Sequence, residues 1–359
     1  MSVRLAAVGD LLLCNGPDGI PCHRDPDLIS PAIRSILTEC EVLFANLEFT
    51  LPGGGQCVPT EPRVVGSPAL VRSVAAAGFN VVTLANNHAF DGLDGGFRQL
   101  RGLLDELGLR HFGAGMNLDE AAAPAIVEVN GVRLAFLAAV DQRSGPYRFA
   151  AEHQWGVAPL DIDGLARRIQ DLRQQVHHVI VSVHWCEERF LIPSPLQIEQ
   201  AHALIEAGAS IVLGHHPHVL QGLEVYRGAP IIYSLGNFVA DDVYFSDGDA
   251  IRWNRTERTG CILLAELTES ALRNVRQTPT FDSGRLVDID GDSFGSRRID
   301  KANRAIVQGV TSARYRRQHL WVKTILPIFK HLRWSELKKS RPSQLRKMIQ
   351  ALSRAWHAK

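Results

Sequence analysis

Acidic, amide and imidazole side chains recur in this sequence directly after short apolar segments. Each of these side chain types can bind a metal ion, and carboxylates and imidazoles can also transfer a proton. The side chains in question are Asp10, Glu48, Asn87, His88, His184, His216 and His218. Oxygen donors mixed with imidazole nitrogens suit manganese, iron or zinc better than calcium or magnesium. The combination therefore predicts a site for a divalent transition metal.

The apolar segments that precede these side chains are typical of buried β-strands. They are short and rich in Val, Leu and Ile, and each leads into a polar turn. The segments are 3–8, 42–45, 81–84, 179–183 and 211–213. In open α/β sheets, ligands bind beyond the carboxyl ends of the strands. We therefore expect side chains that are far apart in sequence to converge at one edge of the fold.

Helical patterns separate these strand segments. They cover 67–78, 95–107, 161–175 and 195–207, and three of them end at or just before a glycine, which favours a helix C-terminus. Two pairs of short strands flank Asn130-Gly131 and Arg227-Gly228, and such dipeptides predict hairpins. The alternation of strands and helices with added hairpins predicts an α/β fold with mixed sheets.

The composition is that of an ordinary globular protein. The 359 residues allow one large domain or two smaller ones, and a net charge of +1 provides no overall field for nucleic acid. Six cysteines are scattered without a C-x-x-C pair, which predicts reduced thiols. There is neither a signal-peptide pattern nor an apolar run of about 20 residues. We therefore expect a cytoplasmic protein.

The polar residues after the strands belong to motifs that occur in a distinctive order. The motifs are Val8-Gly9-Asp10, Asn46-Leu47-Glu48, Ala85-Asn86-Asn87-His88 with Asp91, Val183-His184-Trp185 with Glu188, His216-Pro217-His218-Val219 with Gln221, and Tyr233-Ser234-Leu235-Gly236-Asn237-Phe238. This set closely resembles the poly-γ-glutamate capsule-synthesis family, the CapA type, of the calcineurin-like metallophosphoesterase superfamily. The resemblance covers about residues 3–268. It implies a metallo-dependent phosphatase-like fold, a four-layer αββα sandwich with the site at the strand ends.

The resemblance also implies a role for each residue of the predicted site. Two metal ions would be bridged by Glu48, the first held by Asp10 and His218 and the second by Asn87, His184 and His216. His88 would donate a proton to a leaving oxygen, which an imidazole can do near neutral pH. Five further polar residues have two possible roles. They either orient the ligands or contact substrate, or they are solvated groups of loops. They are Asn46, Asp91, Glu188, Gln221 and Asn237.

Two positions depart from related phosphoesterases. Ordinary members carry Asp-x-His in the first motif, whereas Leu12 stands at its third position here, a loss that the capsule family shares. Cys186 follows His-Trp where the family usually has glycine, and it is a soft extra ligand, an oxidisable thiol or a small buried residue. His215 is left out of the predicted site, because alternation along an extended strand turns its side chain away from that of His216.

The sequence pattern divides the chain into three parts. We predict a metallophosphatase-like domain over 1–270, a polar connector over 271–300 and a basic, partly helical tail over 301–359. The tail contains fifteen Lys and Arg residues against one acid, and residues 343–356 fit an amphipathic helix. It either packs on the domain, lies on an anionic membrane surface or binds a polyanion. No motif for specific nucleic-acid binding is present.

Three functions remain open at this point. The first is a metal-dependent hydrolase or transferase that acts on a phosphoester, or on an amide or carboxylate polymer, in capsule or cell-envelope synthesis. The second is a non-catalytic component that binds the polymer or assembles with other capsule-synthesis proteins, at the inner face of the membrane. The third is a structural role without metal, against which the retained histidines argue.

Overall fold

The computed structural model describes residues 1–16, 19 and 27–325. The elements of the first half are β1 (Ser2–Leu12), α1 (Pro31–Leu37), β2 (Val42–Leu47), α2 (Pro68–Ala76), β3 (Val81–Thr83), α3 (Leu93–Glu106), β4 (Arg110–Phe112), β5 (Ala114–Gly115), α4 (Leu118–Ala121), β6 (Ala125–Val129), β7 (Val132–Val140) and β8 (Gly156–Val157). Those of the second half are α5 (Ile162–Leu172), β9 (His178–His184), α6 (Pro195–Glu206), β10 (Ile211–His215), β11 (Leu223–Tyr226), β12 (Ala229–Ile232), β13 (Asn237–Ala240), β14 (Val243–Tyr244), β15 (Ala250–Ile251), β16 (Thr259–Thr268), β17 (Leu272–Asp282), β18 (Val287–Ile289), α7 (Phe294–Val307) and α8 (Ser312–Leu320).

Two mixed sheets form the centre of the fold. The larger has the order β18-β17-β16-β1-β2-β3-β4, with β13 as an additional partner of β1. Its strands β1 to β4 are parallel, and β16 to β18 are antiparallel to their neighbours. The smaller has the order β11-β12-β10-β9-β7-β6, with parallel central strands and a hairpin at each edge. The two hairpins account for the mixed character of the smaller sheet.

The two sheets pack face to face between layers of helices. Phe136 of β7 points into the core shared with the larger sheet, where its ring stacks on Phe44 at a centroid distance of 5.9 Å. Its neighbour Leu137 points the other way, into a second core with Ile169 of α5 and Leu204 of α6. The crossovers α1, α2 and α3 connect consecutive parallel strands, so one handedness places them on one face of the larger sheet. These layers confirm the predicted four-layer αββα fold.

The two hairpin turns have the backbone that the sequence predicts. Asn130 and Gly131 have φ of 49° and 74°, and Arg227 and Gly228 have φ of 50° and 84°. Positive φ at both central residues is what a type I′ turn requires. The twist of such a turn matches that of its strands, so these dipeptides set the pairing of β6 with β7 and of β11 with β12.

Strand β1 differs from its prediction, because it does not end at the Gly-Asp turn. It continues to Leu12, and β13 joins it in parallel with Asp10 opposite Asn237. The register shifts between Asp10 and Leu11, which marks a bulge. A bulge re-aims the side chain at that position. Asp10 is therefore fixed inside the sheet rather than carried on a mobile turn.

The polar pattern over 271–300 predicts a connector, but these residues form regular structure. Strand β17 pairs with β16 along its length, β18 pairs with β17, and α7 buries Ile299, Ala302 and Ala305. The first compact unit of the chain accordingly extends over Met1–Gly309. The polar composition arises because β17 lies near the edge of the sheet, where Arg273, Asn274 and Arg276 are exposed.

The second unit spans Val310–Lys359, and the structure describes only its first part. Helix α8 begins after Thr311, whose side chain accepts a hydrogen bond from the backbone of Arg314, and none of its own side chains is buried. A π-helical turn at Trp321–Ile325 follows. The predicted amphipathic helix over 343–356 lies outside the described residues. Within the described part of the chain, every helix is too short or too polar to span a bilayer.

Candidate metal centre

Polar side chains from both sheets meet at the carboxyl ends of the parallel strands. Asp10 lies at the bulge of β1, Glu48 directly follows β2, His184 ends β9, and His216 and His218 follow β10. Within the described residues, two groups have ligand atoms within 4.8 Å of one another: Glu48, His184 and His216, and Asp10, Glu48 and His218. All five side chains are buried, and Glu48 belongs to both groups. The cluster thus has a set of oxygen and nitrogen donors that suits a metal ion.

The carboxylate of Glu48 is only half satisfied by the protein. Its Oε2 accepts a hydrogen bond from Asn46 at 3.2 Å, whereas its buried Oε1 has no hydrogen-bond partner among the described residues. Nε2 of His184 and Nε2 of His218 lie 3.6 and 3.8 Å from that oxygen. These distances exceed a hydrogen bond, but two ligands about 2.1 Å from one tetrahedral ion lie about 3.4 Å apart. The spacing therefore fits a shared cation.

Asp10 is held as an ionised carboxylate by a ring of donors. Its Oδ1 lies 2.9 Å from Asn46 Nδ2 and 2.9 Å from His215 Nδ1, and its Oδ2 accepts the backbone N–H of His216 at 3.2 Å. His218 Nδ1 lies 3.4 Å from the same Oδ2. Burial alone would raise the pKa of Asp10, but hydrogen bonds from His215 and His218 hold it well below its usual range. A metal ligand must be deprotonated in this way.

His218 is oriented by Asn237. Its Nδ1 lies 2.9 Å from Asn237 Oδ1, and the amide of Asn237 is fixed by its own hydrogen bond to the Glu257 carbonyl at 3.0 Å. The ring therefore carries hydrogen on Nδ1 and turns Nε2 towards Glu48. Burial alone would lower the pKa of His218, but the charges of Glu48 and Asp10 raise it to about 10. His218 would have to lose its Nε2 proton to hold a cation there.

Burial favours the neutral form of the His184 and His216 imidazoles. Burial lowers the pKa of both, to about 4 for His216, and each is further lowered by a neighbouring histidine. Their ring centroids lie 4.7 Å apart. His184 Nε2 lies 2.8 Å from Asn87 Oδ1, and the buried Nδ1 of His216 has no hydrogen-bond partner among the described residues. The fold thus brings imidazole nitrogens and an amide oxygen together, and one of these nitrogens has no hydrogen-bond partner among the described residues.

His88 forms a pair with Asp91 at the edge of the cluster. Its Nδ1 lies 2.7 Å from Asp91 Oδ2, and the same oxygen accepts the backbone N–H of Val64 at 2.8 Å. Because a carboxylate only accepts, the hydrogen-bond network assigns the Nδ1 hydrogen to His88. Its Nε2 faces Asn87 Nδ2 at 3.1 Å. Nδ1 therefore donates to Asp91, and Nε2 accepts from Asn87, so that Nε2 is the ring nitrogen that can take up a proton.

Two of the predicted supporting residues stand further out. The Glu188 side chain is 40% exposed and pairs with Arg189 at 4.0 Å. Burial alone would raise the pKa of Glu188, but the neighbouring imidazoles of the cluster lower it. Gln221 donates from Nε2 to the Phe190 carbonyl at 2.8 Å, so it supports the loop after β9. Glu188 thus interacts with the centre only through its charge, whereas Gln221 fixes the backbone of a neighbouring loop.

His215 belongs to the centre, although the sequence analysis excludes it. Its side chain is buried against Asp10, as described above. The alternation argument fails because β10 ends at His215, and His216 and His218 have φ of 91° and 56°. Backbone in the left-handed region is not extended, so successive side chains no longer point to opposite faces. The sequence offers no signal for this turn beyond the density of histidines.

Asn86 is a second residue that sequence reasoning missed. Its Nδ2 donates to Asn46 Oδ1 at 3.0 Å and to the Leu47 carbonyl at 2.9 Å, and its Oδ1 accepts the His88 backbone N–H at 3.1 Å. This fully buried amide connects Asn46, which donates to both Asp10 and Glu48, to the loop that carries His88. Its adjacency to Asn87 in the same motif is the one signal that the sequence gives.

Cys186 has a backbone conformation that explains why a glycine suits this position. Its φ is 69°, in the left-handed region that favours glycine, and its side chain is buried. Among the described residues, neither group of candidate ligands includes this thiol. The structure thus favours the small buried residue among the alternatives for Cys186.

Comparison with known proteins identifies relatives of the chain. The sequence matches the family described as bacterial capsule synthesis protein, PGA_cap, over residues 4–242. It is 36% identical over 196 residues to the capsule biosynthesis protein CapA of Bacillus anthracis, which is 54% of this chain and 45% of that protein. It is 30% identical over 275 residues to the PGA biosynthesis protein CapA of Bacillus subtilis strain 168, which is 76% of this chain and 70% of that protein.

The family match covers the whole candidate centre. Every candidate ligand lies between residues 4 and 242. A solved phosphatase structure from Mycoplasma pneumoniae aligns over 78% of this chain and 93% of its own, with 13% identity and a TM-score of 0.47, a likeness too low to bear on fold or function. The motifs, the fold and the sequence match agree, and the resemblance predicted from the motifs is confirmed. The chain belongs to the bacterial capsule synthesis protein family.

Proposed function

We propose that this chain is a metal-dependent hydrolase or transferase that holds two divalent transition-metal ions and acts in capsule or cell-envelope polymer synthesis. The observation that carries the proposal is the Glu48 carboxylate. It is shared by two groups of ligands, and its Oε1 is buried without a hydrogen-bond partner among the described residues. Burial and the nearby charge of Asp10 raise the pKa of Glu48 well above its usual range, so a bound cation would be needed to hold this buried side chain as a carboxylate.

The residues divide into two ligand sets that share Glu48. Asp10, Glu48 and His218 would hold one ion, and Glu48, Asn87, His184 and His216 the other. Manganese, iron and zinc suit this mixture of oxygen and nitrogen donors. Two such ions would activate a water molecule and neutralise charge on a phosphoryl or carboxyl oxygen of the substrate.

His88 supplies the proton that a leaving group needs. Asp91 holds its Nδ1, and the Val64 backbone holds Asp91, so the ring is oriented before substrate binds. Nε2 accepts a hydrogen bond from Asn87 in this structure, so it would first take up the proton released by the attacking water and then give it to the leaving oxygen or nitrogen as the bond breaks. Asn87 lies 3.1 Å from that nitrogen and keeps it beside the ligand cluster.

The names of the relatives support a proposal for the substrate and the setting. They are described as proteins of capsule and PGA biosynthesis, so the proposed substrate is an amide-linked glutamate polymer or a phosphoester formed in its synthesis. We place the protein in the cytoplasm, at the inner face of the membrane with the other capsule-synthesis proteins. The basic stretch from Lys301 onward carries fifteen Lys and Arg residues and would contact anionic lipid there.

A non-catalytic role in polymer binding or assembly is the second candidate. Leu12 favours it, because this residue is buried and offers no donor atom at the position where ordinary phosphoesterases have a histidine. The first ion then has only three protein ligands, Asp10, Glu48 and His218. Such a centre would bind carboxylates of the polymer without cleaving it.

The substitution His88→Asn separates the two candidates. We expect the variant to keep its metal content and to lose about 10²–10⁴-fold in turnover, because only the proton donor is removed. Metal content and hydrolysis of a small phosphodiester and of a γ-linked glutamate oligomer are measured on the same metal-loaded samples. Unchanged turnover would remove His88 from the mechanism, and wild-type protein that binds metal without any turnover would favour the non-catalytic role.

A further inference from the structure

A groove beside the metal centre takes no part in the proposed reaction. The groove measures about 740 Å³. Ligand sites in proteins typically measure about 300 to 1,000 Å³. Its lining residues all belong to the segment between β7 and β8. They are Gln142, Pro146, Tyr147, Arg148, Phe149 and Gln154. The groove is thus large enough for several atoms of an extended ligand beyond the bond that reacts.

The groove begins at the backbone of the metal centre. The Asp141 backbone N–H donates to the His184 carbonyl at 2.8 Å, and the Ser144 hydroxyl donates to the same carbonyl at 3.2 Å. These two hydrogen bonds fix the start of the segment to the residue that ends β9. The segment that lines the groove therefore leaves the sheet at the same edge as His184, since Val140 of β7 pairs with His184 of β9.

The other end of the groove is fixed to the loop that carries His88. The Arg148 guanidinium lies 4.9 Å from the ring centroid of Phe90 and 5.9 Å from that of Tyr147, and it pairs with Asp94. Phe90 follows His88 by two residues. The segment that lines the groove thus contacts both the end of β9 and the loop of the proposed proton donor.

The lining is polar but carries little net charge. Asp94 neutralises Arg148, and Gln142 and Gln154 are exposed amides. Tyr147 is 44% exposed, which is unusual for a large ring. A glutamine amide offers one donor group and one acceptor to an amide link, and an aromatic ring covers the methylene groups between such links. This chemistry suits the backbone of an amide-linked chain more than its charges.

We propose that this groove binds the part of an amide-linked, carboxylate-bearing chain that extends away from the metal centre. The inference rests on the proposed function, because the chain is the polymer on which that centre acts. The groove recognises the amide links and methylene groups through Gln142 and Tyr147, whereas the carboxylates stay in solvent. Binding therefore increases with chain length and depends only weakly on salt.

Fluorescence anisotropy of a labelled γ-linked glutamate oligomer on the full chain tests this groove. Gln142→Ala and Tyr147→Ala should each weaken binding about tenfold, with or without added manganese. The matched control is Gln174→Ala, since Gln174 is also exposed but precedes β9 at the end opposite His184, and it should bind like wild type. Thermal unfolding of each variant should match wild type, because the substituted side chains are exposed.

Three results would contradict the proposal that the groove binds the chain. They are an oligomer that does not bind wild type, an oligomer that binds both groove variants as tightly as the control, and binding that collapses in salt equally in all variants. The last would assign the oligomer to the basic stretch. Hydrolysis of a small phosphodiester by wild type is measured beside these assays. Binding that depends on the groove, without hydrolysis, would contradict only the proposed function. Hydrolysis without binding that depends on the groove would contradict only the proposed role of the groove.

Discussion

Strand β9 carries a buried imidazole at each end, and the two ends differ in what surrounds the ring. At its start, His178 has a partner on both nitrogens, the Ser210 hydroxyl at 3.1 Å and the Thr268 carbonyl at 2.6 Å. At its end, His184 lies 3.6 Å from a Glu48 oxygen that has no hydrogen-bond partner among the described residues. The first ring completes a hydrogen-bonded network, and the second belongs to a set of donors that a cation would complete.

This difference teaches that burial alone does not mark a ligand. Burial lowers the pKa of both His178 and His184, so both rings favour the neutral form that can bind metal. His184 also has a hydrogen-bond partner at each nitrogen, Asn46 Nδ2 at 3.4 Å and Asn87 Oδ1 at 2.8 Å. What separates the two rings is that His184 lies beside the buried Glu48 Oε1 and His216 Nδ1, which have no hydrogen-bond partner among the described residues. The predictions below test whether this contrast between the two ends of the strand holds.

The largest effect is expected from Glu48→Gln. The change keeps the shape of the side chain but removes the charge that both ions would share, and we expect metal affinity to fall about a thousandfold. Metal content after dialysis, measured by mass spectrometry, checks this. A variant that retained the wild-type metal content would show that Glu48 is not the shared ligand.

The pair His184→Ala and His178→Ala tests the contrast directly. We expect His184→Ala to lose at least one ion, whereas His178→Ala should keep wild-type metal content and lose about 1–3 kcal/mol of unfolding free energy. The stability loss arises because the Ser210 hydroxyl and the Thr268 carbonyl are left without their partner. Urea unfolding and metal analysis are run on both. Equal metal loss in the two variants would break the comparison.

A smaller effect is expected from Asn86→Ala, which removes the amide between Asn46 and the His88 loop. Residues that orient ligands typically contribute 10–100-fold to metal affinity, so we expect a loss of about that size. Asn80 is the matched control, because it also links backbone groups, Leu43 N and Glu41 O, but at the opposite strand ends.

Asn80→Ala should therefore destabilise the fold without changing metal affinity. Calorimetric titration of manganese into both variants measures the two affinities. If both substitutions weakened binding equally, the effect of Asn86 would be one of general stability and not of ligand orientation.

The smallest effect concerns pH. Because the pKa of His178 is lowered in the folded protein, unfolding takes up a proton at pH values between that lowered pKa and the ordinary value of 6.5. Its contribution to stability is therefore complete above pH 6.5 and declines as the pH falls.

We expect wild type to lose more stability than His178→Gln on acidification from neutral pH, by less than about 1 kcal/mol once solvent screening is included. Urea unfolding across this range measures the difference. An equal loss in both proteins would mean that the ring does not titrate in this window.

Local patterns predicted much of this molecule. Apolar segments became β2, β3, β9 and β10, and the glycine turns set both hairpins, because such features depend on a few neighbouring residues. The convergence of Asp10 with His218 also followed, since parallel strands end at one edge of a sheet.

What the sequence did not predict depends on contacts between distant segments. The extension of β1 past Asp10 needs β13, more than two hundred residues later, and β17 looks polar only because it lies near a sheet edge. His215 was missed because the left-handed turn at His216 leaves no local signature.

The central claim is that the buried cluster binds two divalent ions, and titration of metal-stripped protein with manganese or zinc tests it most directly. The account predicts two equivalents per chain, with a rise in the unfolding temperature that follows metal concentration, because binding to the folded state stabilises it. A folded protein that took up no metal at saturating concentrations would contradict the account.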